Sequence, residues 1–70
     1  MESELMKAIF KDVFIWQNRY ADKTFDDAMW ESFLRDGDEV IAKYGKAGAQ
    51  AGKLVGQMVY AIIKYKENAK

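Results

Sequence analysis

Seventy residues carrying 11 basic and 11 acidic side chains, with no cysteine, histidine or proline, describe one small domain (1–70) of zero net charge. The absent cysteine excludes disulfides and thiolate metal sites, and the absent histidine excludes an imidazole-bound zinc or haem. Zero net charge lacks both the basic excess of a general nucleic-acid binder and the acidic excess of a DNA mimic. Hydrophobic residues at 50% and aromatics at 14% exceed what a short core consumes, leaving apolar side chains for an interface.

The chain starts Met1-Glu2-Ser3-Glu4, without the positive n-region of a secretory signal. The longest apolar run, Leu54 to Ile63, is interrupted by Gly56 and Gln57 and is too short to span a bilayer. The expectation is a soluble, cytoplasmic protein with no membrane role. The lysines Lys53, Lys64, Lys66 and Lys70 sit on a face too rich in glutamine for a cationic membrane-surface helix.

Periodicity predicts three helices and no internal repeat. In the first, Leu5, Ile9, Val13, Trp16 and Tyr20 share one stripe that Met6 and Phe10 widen, Ser3 is the expected N-cap, and Ala21-Asp22-Lys23 is the break. The second starts at Thr24, with Asp27 completing a variant capping box suited to the helix dipole. It carries Trp30, Phe33, Leu34, Gly37, Val40, Ile41 and Tyr44 in 3-4 spacing. The phase persists across Gly37, which predicts a continuous helix with a large ring such as Trp16 against the glycine. The alternative is a break at Asp36-Gly37-Asp38-Glu39, which lacks the ligand spacing of a calcium loop.

Gly45 is the expected C′ residue, and the third helix is expected from Ala47 to Tyr65. Its polar stripe is Lys46, Gln50, Lys53, Gln57, Tyr60 and Lys64. One apolar flank holds Ala51, Leu54, Val55, Met58, Ile62 and Tyr65. The other holds Gly48, Gly52, Gly56, Val59 and Ile63, and the two flanks suggest two neighbours. A helix-interior glycine costs about 1 kcal/mol relative to alanine, so a ladder of three requires an offsetting close approach. That approach is either intramolecular or a homodimer through Gly48, Gly52, Gly56, Val59 and Ile63. On either reading, leucine at Gly52 or Gly56 is expected to clash.

Phe14 and Ile15 lie off the main stripe of the first helix, Phe25 and Met29 flank that of the second, and Tyr60 interrupts the polar stripe of the third. Exposed tyrosine, phenylalanine and methionine commonly mark interfaces, so these five are the candidate partner contacts. Asp22, Asp26, Asp27 and Glu31 could in principle hold magnesium or act as acid and base. They crowd a helix N-terminus, where carboxylates are expected on electrostatic grounds. No nucleophile, base or phosphate cradle accompanies them. The expectation is therefore no enzyme, no cofactor and no metal.

The segments Phe10-Lys11-Asp12-Val13-Phe14, Arg19-Tyr20, Met29-Trp30-Glu31 and Ile41-Ala42-Lys43-Tyr44 resemble a pattern in small helical proteins. Those proteins are encoded on phages and other mobile elements of Firmicutes. The resemblance covers residues 6–45 and excludes the glycine-rich third helix. It implies an accessory protein that binds and inhibits a host or defence protein, and it transfers no site residues.

Together these features predict an all-α three-helix bundle: an antiparallel hairpin with a Gly/Ala-rich third helix packed across it. The expected function is a self-associating, dimeric protein-binding module. One alternative is a small DNA-binding regulator reading the groove with Lys46, Gln50, Lys53 and Gln57, although Ile41 stands where that motif wants a small residue. Another is a small-ligand binder with an aromatic pocket.

Overall fold

Apolar residues spaced three and four apart generate the three expected helices in the computed structural model, which describes residues 3–68. They are α1 (Ser3–Arg19), α2 (Asp27–Gly45) and α3 (Ala49–Asn68), with no strand among the described residues. Met1, Glu2, Ala69 and Lys70, which entered the readings of the N-terminus and of a basic membrane face, lie outside that range. The Cα atoms extend 37 × 17 × 17 Å. Helices of 19 and 20 residues are about 30 Å long, so α2 and α3 must run along the bundle. The third helix lies lengthwise on the hairpin rather than across it, because only that alignment buries its whole apolar stripe.

The core is Ile9, Val13, Trp16, Tyr20, Phe33, Tyr44, Ala51, Val55 and Val59. At its centre Trp16 stacks on Phe33, with ring centroids 4.5 Å apart and planes 13° from parallel. Trp16 Nε1 donates a 3.0 Å hydrogen bond to the Phe33 carbonyl oxygen, satisfying the one polar atom that burial would otherwise strand. Phe25, Trp30 and Tyr20 close around Phe33 edge-on or tilted, capping one end of the bundle with rings.

Gly37 lies inside a continuous α2, and Trp16 rests against it. The helix boundaries differ from expectation at three places. Asp26, not Thr24, is the N-cap of α2: its Oδ1 accepts from the Met29 N–H at 2.8 Å, so Asp27 is the first helical residue. Ser3 is already within α1, which removes it as the residue before the helix. Gly45 stays helical, and the one positive φ among the described residues belongs to Gly48, at 149°. The left-handed position that demands glycine is therefore three residues later than expected, and α3 starts at Ala49. Gly48 leaves the ladder, because a residue with that φ cannot be helical.

The hairpin contains a repeat that the residue types conceal. Asp12, Arg19 and Tyr20 of the first arm correspond to Asp36, Lys43 and Tyr44 of the second, each 24 positions later. In space the two sets clasp each other reciprocally. Tyr20 Oη donates to Asp36 Oδ2, which also takes Arg19 Nη1 at 3.2 Å. Tyr44 Oη donates to Asp12 Oδ2, which also takes Lys43 Nζ at 2.7 Å. The antiparallel pair thus has an approximate twofold axis between its arms.

Candidate docking faces

Helical spacing gives α1 a second stripe behind the core one. Lys7, Phe10, Lys11 and Phe14 stand at i, i+3, i+4 and i+7, so they are neighbours on one surface. Phe10 is 57% exposed and Phe14 62%, alongside Ile15 at 42%, Tyr60 at 67% and Tyr65 at 72%. Phe10 departs from the core stripe it was expected to widen. One residue on from Ile9, it is turned about 100° round the helix, past the arc that two neighbouring helices cover. Tyr65 likewise leaves the core flank of α3. The two lysines alternating with the phenylalanines were the available sign that this side of α1 faces water.

The five expected partner contacts divide. Phe14, Ile15 and Tyr60 are exposed, on three different sides of the bundle by helical position. Phe25 and Met29 are half-buried and pack on the core. Phe25 is taken up by Tyr20, Trp30 and Phe33, and carries Lys66 Nζ 5.8 Å above its ring.

The expected self-association stripe also divides. Gly48 is in the connection, Val59 is 1% exposed, and Gly52, Gly56 and Ile63 are half-buried. A Cβ built on Gly52 would sit 3.0 Å from Gly45 Cα. That glycine is spent within the chain, on close approach of α2 and α3. Val59 fills the space over Gly37 from the same side. Gly56 is different: nothing lies within 4 Å of the Cβ it lacks. A Cβ at Gly56 thus meets nothing within the chain, whereas a Cβ at Gly52 meets backbone.

Between α1 and α2 an open groove of about 310 Å³ is lined by four symmetry-related pairs: Asp12 and Asp36, Ile15 and Glu39, Trp16 and Val40, Arg19 and Lys43. Both clasps wall this groove. The Lys43 hydrogen bond, then that of Tyr44, lowers the Asp12 pKa below 3.8. Burial, then the hydrogen bond to Asp12, pushes Tyr44 up to about 12. Burial and the Asp36 hydrogen bond raise Tyr20 as well. The carboxylates are thereby committed to structural bonds.

The acidic group at the start of α2 supplies the Asp26 cap, and among the described residues no three carboxylates are grouped to hold a metal ion. Gln50, Lys53 and Gln57 are exposed along α3, while Lys46 lies in the connection. A helix-turn-helix crosses its helices near a right angle. A crossing of two helices about 30 Å long cannot fit a body 17 Å wide. No helix among the described residues is long and apolar enough to cross a membrane.

Zero net charge hides a segregation. Residues 22–39 hold seven acids against two bases, net −5, and residues 40–70 hold six lysines against one glutamate, net +5. Fold and surface together define an all-α three-helix bundle with large aromatic side chains exposed on its outer faces. No family model, curated protein or solved structure matches the chain.

Proposed function

We propose that this chain is a non-enzymatic, self-associating docking module that works by covering a surface on another protein. The observation that carries this reading is the α1 stripe, where Phe10 and Phe14 stand more than half exposed between Lys7 and Lys11. Two adjacent aromatic rings in water forgo roughly 25 cal/mol for each Å² left uncovered. Aromatic anchors ringed by charge are the composition of binding hot spots. The complementary partner surface is an apolar groove with an acidic rim. An accessory protein of the phage or mobile-element kind needs no chemistry beyond this occlusion to inhibit a host or defence protein.

The test is photo-crosslinking from position 14 in source cells, followed by calorimetric titration of the purified candidate. Phe10→Ala with Phe14→Ala should leave the helical circular dichroism intact and weaken binding by more than about tenfold, the range of two hot-spot residues. A candidate that binds the double variant as tightly as wild type would remove α1 as the docking face.

A further inference from the structure

We infer that the self-contact in that reading is a twofold dimer through the outer α2·α3 face, with α2 of each copy lying on α3 of the other. This rests on the self-association just proposed, and is independent of the α1 stripe.

By helical position, the flank of α2 next to α3 carries Glu31, Leu34 and Asp38, and the three line a shallow surface depression with Arg35. The facing flank of α3 carries Gly56, Tyr60, Ile63 and Glu67, with Lys53 and Lys64 just beyond. Tyr60 is two-thirds exposed, Leu34 and Ile63 are half-buried, and Gly56 has empty space above it. The face is therefore an apolar strip whose α2 border is net acidic (Glu31, Asp38 and Arg35) and whose α3 border is net basic (Lys53, Lys64 and Glu67).

That arrangement names its occupant. A twofold axis parallel to the bundle turns the acidic border of one copy onto the basic border of the second, and does so twice. An axis across the bundle would instead set acid on acid. The seam between Gly45 and Gly52, and that between Gly37 and Val59, fix the level of α2 relative to α3. At that level Glu31 and Lys64 lie within a turn of the same height, so the parallel axis brings Glu31 near Lys64 of the second copy. The open space at Gly56 admits a side chain from α2 of that copy. Within a molecule 37 Å long and 17 Å wide, such a face offers at most roughly 600 Å² per copy, against the roughly 500 Å² per copy of a minimal specific interface.

The experiment is sedimentation equilibrium of wild type, Glu31→Lys, Lys64→Glu and the double reversal, each over a concentration series. Wild type should dimerise more weakly as salt rises. Each single reversal should weaken the dimer about tenfold or more, because the symmetry repeats every broken pair and makes it repulsive. The double reversal should restore it. Glu39→Lys, in the α1·α2 groove, should leave the dimer unchanged. Helicity checks that each variant folds. A dimer that ignores both single reversals would overturn this face while leaving self-association standing. Singles that weaken the dimer without rescue by the double would overturn the α2-on-α3 pairing. A wild-type monomer at all concentrations would overturn the dimer altogether, with the α1 docking test unaffected.

Discussion

A methyl group added at Gly37 would sit 2.9 Å from Trp16 Cζ2 and 3.1 Å from Val59 Cγ1. Gly37→Ala should therefore destabilise the fold by about 1–3 kcal/mol in urea unfolding, because overpacking exceeds the gain of up to about 1 kcal/mol in helix propensity. Gly56→Ala, with open space above it, should stabilise the monomer by about 0.5–1 kcal/mol in the same assay. The phase of the α2 stripe made Gly37 legible in the sequence. Nothing in one-dimensional spacing distinguished Gly52, spent against Gly45, from Gly56, left open. The clasps add a pH signature. The Asp12 pKa is lower folded than unfolded, so its contribution is complete above 3.8 and is lost as acid approaches the lowered folded value. Asp12→Asn should flatten the acid limb of a stability–pH curve. For Tyr44 the sign reverses: the raised pKa adds stability that is present below 10.0 and fades as pH rises towards about 12. Tyr44→Phe should reduce the alkaline slope, leaving the part that the raised Tyr20 supplies.

At the level of elements, number, type and order were written in the periodicity, and the ends were not. Lys46-Ala47-Gly48 after Tyr44-Gly45 offers two glycines as helix terminators, and propensity cannot choose between them. The fold chooses Gly48, and α2 runs on through Gly45, which packs against Gly52. Gly48→Ala should cost about 1–3 kcal/mol for its left-handed backbone, while Gly45→Ala, with nothing within 4 Å of the added carbon, should be close to neutral. Thermal melts of the two variants distinguish the readings directly. The 24-residue correspondence escaped notice for a different reason. The members that the two arms share are two aspartates, two cations and two tyrosines on the groove side, whereas the core side differs: Ile9 pairs with Phe33, Val13 with Gly37, Trp16 with Val40. Those inequalities are what let α3 settle closer to α2 than to α1.

For the whole molecule, the fold class was legible because helical periodicity is local, and the faces were only partly legible because exposure is decided by neighbours. Phe14, Ile15 and Tyr60 could be singled out by being off-stripe, whereas Phe10 required knowing how much of α1 two helices can cover. If the dimer forms, the melting temperature should rise with protein concentration, and charge reversal at Glu31 should remove that dependence. The bundle also has an uneven interior bonding. The interhelical side-chain hydrogen bonds and ion pairs described above join the first arm to α2, whereas α3 meets the rest through its core residues, the glycine seam and the Lys66 cation over Phe25. Amide exchange followed by mass spectrometry should then find two cooperative units, with the peptide spanning Leu54 to Ile63 exchanging before those containing Trp16 and Phe33. A protein built this way can loosen one helix, and re-seat it on another surface, while two-thirds of its chain keeps its shape.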